Sequence, residues 1–585
     1  MNSRINAVSR ATLQAAGLTA ALMLTACGLS NSHDPHDPGN TEPEATLPAK
    51  HDSRPVLAEQ ADATREVQAL PQPSPQEAPS GLELRRFDSI AVSGSRIRAD
   101  LELPGIRPAP FAADRENYAS IDDNPVRRAA EQPVSTFSID VDTGSYANLR
   151  RMLREGRLPP SDAVRVEEMI NYFSFDYPAP ESPDTPFSVS VEQSVTPWNP
   201  NTRLLQIGIQ GYRPDPAVIP AANLVFLVDV SGSMNSPDKL PLLVNSLKML
   251  TRQLDADDRV AIVVYAGASG VVLESTPGDQ HAAITAALDR LAAGGSTHGS
   301  AGIELAYAQA QQGWIEDGIN RVILATDGDF NVGTVNFEAL LDLIERKRAS
   351  GIELTTLGFG GGNYNDHLME QLADAGNGNH AYIDTLNEAR KVLVDELSST
   401  LFTIARDVKI QLEFNPAVVA EYRLIGYENR LLNREDFNND AVDAGDIGAG
   451  HTVTALYEIA LVESDGQRID PLRYAVESAA ASIDSRGTEL GFLKLRYKRP
   501  GESDSRLIEQ PIDNETGLSG STNEPERLAF AAAVAAFGQH LRGGQYLEGF
   551  GLDQIHALAS RSKGPDPFGY RGEFLQLVRL AEGLE

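Results

Sequence analysis

Asp229-Val230-Ser231-Gly232-Ser233-Met234 places one carboxylate and two hydroxyls at every second position of a short stretch. Oxygen donors in this arrangement suit a hard divalent cation such as Mg²⁺, which takes an octahedron of oxygens. A lone D-x-S-x-S pattern is weak, because acids and serines are common and match by chance. Two further segments strengthen it. Gly294-Gly295-Ser296-Thr297 offers a hydroxyl just before a predicted helix, and Thr326-Asp327-Gly328 offers a second carboxylate.

These donors work together only if separate elements bring them to one place. Leu224 to Val228 is a continuous apolar run, as expected of a strand covered on both faces, and Asp229 stands at its carboxyl end. Val322 to Ala325 is a second such run, and the strand Arg321 to Ala325 delivers Thr326 and Asp327 in the same way. In doubly wound sheets the carboxyl ends of the strands are where ligands bind. Leu240, Leu243, Val244, Leu247, Leu250 and Leu254 recur at helical spacing between them. Val260 to Tyr265 and Leu354 to Phe359 read as further strands. Ala283 to Leu291, Ile303 to Gln312, Phe337 to Arg348 and His367 to Ala375 read as helices. The alternation predicts an open, doubly wound α/β domain with a mostly parallel, Rossmann-like sheet over 222–395.

Both flanks read differently. Over 116–221, a strand at Phe137 to Val141 and helices at Ser145 to Arg154 and Arg165 to Phe173 precede two alternating strands, Phe187 to Gln193 and Leu204 to Gln210. Over 396–585, Val408 to Phe414, Val453 to Val462 and Leu490 to Tyr497 alternate, and Arg527 to Leu541 and Phe574 to Leu580 look helical. The expectation is an α+β, sandwich-like pair of flanks. Strands before and after the α/β domain would pair, leaving that domain as an insertion.

The three donor segments resemble the metal-ion-dependent adhesion site (MIDAS) of von Willebrand factor A domains in residue type, order and separation. The resemblance implies that Asp229, Ser231, Ser233, Thr297 and Asp327 are the five metal positions. It implies Mg²⁺ as the ion, with Mn²⁺ or Ca²⁺ as alternatives, and a partner's carboxylate in the remaining position. Ser135 to Tyr146, Val164 to Phe173, Thr326 to Gly333, Gly426 to Arg430 and Asp443 to Glu458 extend the likeness. Over about 115–585 the chain resembles YfbK-type bacterial lipoproteins with a von Willebrand factor A domain.

The first residues point to the cell envelope. Arg4 and Arg10 precede a short apolar stretch, Ala15 to Met23, and then Leu24-Thr25-Ala26-Cys27-Gly28. Residues 1–26 read as a signal peptide, too short for an ordinary spanning helix. The motif resembles a lipobox, so Cys27, the sole cysteine, is expected to carry lipid and no intramolecular disulfide forms. Gly28 rather than Asp after it implies outer-membrane sorting in a Gram-negative bacterium. Residues 27–115 are rich in Pro and acids and read as a disordered tether. Within it, Ser89 to Ile97 alternates like a short strand and resembles the VTGSR-type segment of TonB-dependent receptors.

Charge excludes one class of partner. With 50 Lys and Arg against 82 Asp and Glu, the chain has a net charge of -32 and no basic footprint for nucleic acid. Enzyme signatures are missing as well: there is no G-x-S-x-G elbow, no H-E-x-x-H helix and no phosphate loop ending in G-K-[ST]. Asp140 and Asp142 read as solvated strand-end acids, and Glu167 and Glu168 as a solvated helix face or as partners of nearby Arg165. Glu435, Asp436, Asp440, Asp443 and Asp446 read as a polar loop, His298 as a neighbour of the site, and Trp198 and Trp314 as packing or surface anchors. The expected function is non-enzymatic: a membrane-tethered envelope protein that binds an acidic side chain of another protein through its metal. A metal-assisted envelope hydrolase and a scaffold whose metal only stabilises the fold are the alternatives.

Overall fold

The computed structural model describes residues 115–295, 300–328, 337–470, 472, 488–515 and 526–585. Cys27 and its leader, the tether with its 89–97 segment, Thr297 and His298 lie outside the described residues. Among the described residues no helix is long and apolar enough to cross a membrane.

Strands β1 (Arg127–Arg128), β2 (Val134–Ser138), β3 (Phe187–Thr196) and β4 (Asn199–Gly211) come first. Next come β5 (Ala222–Asp229), β6 (Arg259–Tyr265), β7 (Ser269–Pro277), β8 (Ile319–Thr326), β9 (Glu353–Phe359) and β10 (His380–Ile383), which form one sheet in the order β10-β9-β8-β5-β6-β7. Every neighbouring pair is parallel except β6 with the edge strand β7. All eight residues of β5 are buried, and they alternate between two cores. Leu224, Phe226 and Val228 pack with Leu243, Leu247 and Leu250 of the helix Leu240–Thr251. Val225 and Leu227 face Ile303, Ala306 and Tyr307 of the helix Ser300–Gln312. The doubly wound, mostly parallel sheet expected from the sequence is the one observed.

The remaining strands are β11 (Thr403–Phe414), β12 (Val419–Ile425), β13 (Ile447–Gly448), β14 (Thr452–Leu461), β15 (Glu489–Lys498) and β16 (Arg506–Asp513). They combine with the strands that precede the α/β domain. One sheet runs β1-β12-β14-β4-β3; the other runs β13-β11-β15-β16 and takes β2 against β11. β4 pairs antiparallel with β14 from Arg203 opposite Ile459 to Gln210 opposite Thr452. Leu205, Ile207 and Ile209 share a core with Ile410, Leu412 and Tyr457. The strands on either side of the α/β domain therefore build one sandwich.

Asp140, Asp142, Glu167 and Glu168 are buried rather than solvated, and Glu168 makes the expected pair with Arg165. Asp140 and Asp142 are 3% and 5% exposed, and Glu167 and Glu168 are 1% and 0% exposed. They lie where the sandwich and the helices meet the α/β domain, and packing on both sides excludes water. Arg430 donates to Asp140 at 3.1 Å, to Asp374 at 2.7 Å and to Glu370 at 3.1 Å. Asp142 accepts from the backbone N–H of His380 at 2.8 Å, and Arg165 pairs with both Glu168 and Asp366. Burial first, and then the charge of Glu428, pushes the Glu167 carboxyl from its ordinary 4.5 up to about 8. Its Oε2 has no hydrogen-bond partner among the described residues.

A carboxyl raised in this way stabilises the fold fully below its unfolded value and loses that contribution as pH climbs through its folded value. The melting temperature should therefore decline between about pH 4.5 and pH 8. Glu167→Gln, neutral throughout, should flatten the decline in a thermal-melt series. An equally steep decline in the variant would assign it to other groups.

Candidate metal centre

β5 and β8 are adjacent and parallel, with Val228 opposite Ala325. That register brings Asp229 level with Thr326 at one carboxyl edge, and Asp327 follows one residue later. Both carboxylates are 0% exposed. Asp229 accepts from the backbone N–H of Ser231 on Oδ1 and from the Thr326 hydroxyl on Oδ2, each at 2.8 Å. Thr326 Oγ1 in turn accepts from the Gly328 N–H at 3.2 Å. The carboxylate is fixed in rotation by two donors from two strands before any ligand arrives.

The chain then turns through the short helix Gly232–Asn235. Ser231 is buried and Ser233 exposed, and their hydroxyl oxygens lie 2.9 Å apart. Neighbouring ligands of an octahedral ion with bonds of about 2.0–2.1 Å are roughly 2.9 Å apart, so this hydroxyl pair fits an edge of such a sphere. The loop carrying Thr297 is tied to the same place. Gly232 donates to the Gly295 carbonyl at 3.1 Å, and Gly294 donates to the Val230 carbonyl at 2.8 Å. Thr297 itself lies outside the described residues, two positions beyond Gly295.

Asp327 is held by two side chains the sequence reading missed. Its Oδ2 accepts from Lys239 Nζ at 2.8 Å and from Asn363 Nδ2 at 3.1 Å. Lys239 immediately precedes the helix that follows the serine turn, and Asn363 lies just beyond the glycine run after β9. That run reads from sequence as a flexible turn; only folding carries it across the sheet edge to Asp327. The same turn meets residues 115–117. Arg115 donates to the Gly362 carbonyl at 3.0 Å, Gly362 donates to Glu116 Oε1 at 2.7 Å, and Asn117 donates to the Tyr364 carbonyl at 2.9 Å.

Burial pushes the Asp229 carboxyl up to about 6, against the donors from Ser231 and Thr326, and the charge of Asp327 adds to the rise. Two buried acids so close together are costly as anions, and a divalent cation among them would remove that cost. The donors are carboxylates and hydroxyls, without imidazole or thiolate, which selects hard ions. Among the described residues no group of three or more His, Cys, Asp and Glu side chains could hold a metal. The candidate centre is of another kind, with two carboxylates and the rest hydroxyl.

The acids discounted from sequence are engaged elsewhere. Asp436 caps the turn at Asn433, Asp443 pairs with Arg348 at 2.8 Å, and Asp440 accepts from Ser505 at 3.3 Å. Trp198 is buried and donates to Glu458 at 3.2 Å, whereas Trp314 is 45% exposed.

Thr326→Val keeps the shape of the side chain but strips Asp229 Oδ2 of its donor. The expected cost is about 1–3 kcal/mol of stability, measured by urea unfolding. A variant as stable as the wild type would show that the hydroxyl does not hold the carboxylate.

Comparison with known proteins gives three family matches along the chain. The family described as "von Willebrand factor" matches residues 112–206, "von Willebrand factor type A domain" matches 223–396, and "Uncharacterized protein YfbK, C-terminal" matches 399–584. The uncharacterized protein YfbK of Escherichia coli (strain K12) is 50% identical over 476 residues, covering 80% of this chain and 81% of that protein. The uncharacterized protein sll0103 of Synechocystis sp. is 25% identical over 299 residues, covering 50% of this chain and 64% of that protein. A von Willebrand factor type A structure from Catenulispora acidiphila covers 67% of this chain and 89% of its own, with 17% identity and a TM-score of 0.36.

Proposed function

The chain belongs to the YfbK family of proteins with a von Willebrand factor A domain, and from that premise we propose a binding role in the envelope of a Gram-negative bacterium. The protein is anchored by lipid on Cys27, in the outer membrane, and it captures a partner protein through a Mg²⁺-type adhesion site. The observation that carries this reading is the convergence of Asp229, Ser231, Ser233 and Asp327 at one sheet edge, with the hydroxyl pair 2.9 Å apart. Mg²⁺, or else Mn²⁺ or Ca²⁺, would be held by these residues together with Thr297. The bound ion supplies a Lewis-acidic position that takes a carboxylate oxygen from the partner.

The chain's own residues do the rest. Thr326 and the Ser231 N–H fix the Asp229 carboxylate, so little ordering entropy is left to lose on binding. Ser233 is exposed and faces the approach that a partner would use. Binding rather than catalysis is the role these groups support, since each of them holds or orients a donor.

Mg²⁺ at one hundred times its dissociation constant should stabilise the wild type by about 2.7 kcal/mol, seen as a rise in melting temperature that chelator reverses. Asp229→Ala should abolish both that rise and Mg²⁺-dependent capture of partner from envelope extracts. Equal Mg²⁺ stabilisation of wild type and variant would overturn the site, and capture that persists in chelator would overturn its use. For the anchor, Cys27→Ala should move the protein from the membrane fraction to the soluble one; retention in the membrane would exclude acylation as the attachment.

A further inference from the structure

The candidate centre contains a cation of its own. Lys239 is 6% exposed, and its Nζ donates to Asp327 Oδ2 and to Asn363 Oδ1, each at 2.8 Å. Asn363 Nδ2 donates to the same carboxylate oxygen at 3.1 Å. Ammonium, amide and carboxylate thus close a triangle at the end of β8. The place for the lysine is built into the backbone. Its stem passes over Gly360, where a Cβ would lie 2.4 Å from the lysine Cγ and 2.5 Å from Cε. Gly360 also has a φ of +68°, which disfavours any other residue there.

Burying an ammonium costs several kcal/mol and is offset only by close pairing. The charge of Lys239 has consequences at this site. Asp229 and Asp327 as anions would neutralise a divalent ion, and Lys239 would then leave these described groups with one net positive charge. In a buried setting such a charge is weakly screened. It repels the metal, and it rewards an anionic ligand in the open position over a neutral one.

We infer that Lys239 is a specificity-determining residue: it makes the metal-loaded site net cationic, so that a partner's carboxylate is selected over a neutral oxygen at the expense of metal affinity. This rests on the metal reading proposed above. Removing the charge should therefore move two quantities in opposite directions, whereas a purely structural ion pair predicts weaker metal binding and no change in ligand preference.

The test uses the full chain as wild type and Lys239→Met, with acetate as the anionic probe and acetamide as its neutral counterpart. Mg²⁺ and Mn²⁺ affinities come from titration calorimetry, and displacement of metal-bound water by acetate from Mn²⁺ water-proton relaxation. The variant should bind Mg²⁺ about ten-fold more tightly and need about ten-fold more acetate to displace water, with acetamide inert in both proteins. Lys239→Gln keeps a donor to Asp327 without the charge; it should behave alike and serves where the methionine variant does not fold. Metal affinity no tighter than that of the wild type in the uncharged variants, or an unchanged acetate requirement, would overturn the inference. A wild type that binds neither ion would instead overturn the metal reading beneath it.

Discussion

The main-chain ladder between β4 and β14 joins segments separated by the whole α/β domain. Its hydrogen bonds cannot form unless both ends of that domain return to one place. β2 repeats the condition by pairing with β11, from Val134 opposite Glu413 to Ser138 opposite Lys409. The domain is therefore clasped at both ends by one sandwich. Loops at its sheet edge inherit a fixed frame, and a long-range backbone constraint of this kind limits how far the domain can turn against its support.

Clasping two layered units together buries polar surface, and the chain resolves this with arginines placed between acids. Arg150 reaches Glu388 at 2.7 Å in the α/β domain and Glu573 at 2.9 Å in the last helix, and it also pairs with Asp384. Arg430 gathers Asp140 from one segment and Glu370 and Asp374 from a single helix. Each guanidinium offers several donors in a rigid fork, so a single side chain can satisfy acids from different elements. Burial also raises the carboxyls of Glu167, to about 8, and of Glu168, to about 7 despite its pair with Arg165.

The candidate metal centre sits at the opposite end of this logic. Its acids stay together with one buried ammonium beside them, held by strand ends rather than by an interface. The turn that carries Asn363 also bonds with residues 115–117, where the described chain begins. Hydrogen bonds therefore link the turn beside Asp327 to residues 115–117.

Local pattern was enough to reveal the donors at Asp229, Ser231, Ser233 and Asp327 and the strands that present them. The buried parallel strands are apolar from Leu224 to Val228 and from Val322 to Ala325, so the acids that follow them stand out in a linear reading. The sandwich strands β4, β14 and β15 were legible through alternation for the same reason. β12 was not, because Glu421 and Arg423 lie buried within it and interrupt the pattern. The edge strands β7 and β16, largely half-exposed or exposed, carry little apolar periodicity. Tertiary structure alone decided the rest. It buried Asp140, Asp142, Glu167 and Glu168, and it brought Lys239 and Asn363 onto Asp327. A sequence displays which faces are apolar, but the partner of a charge is set by segments that meet only when the chain closes.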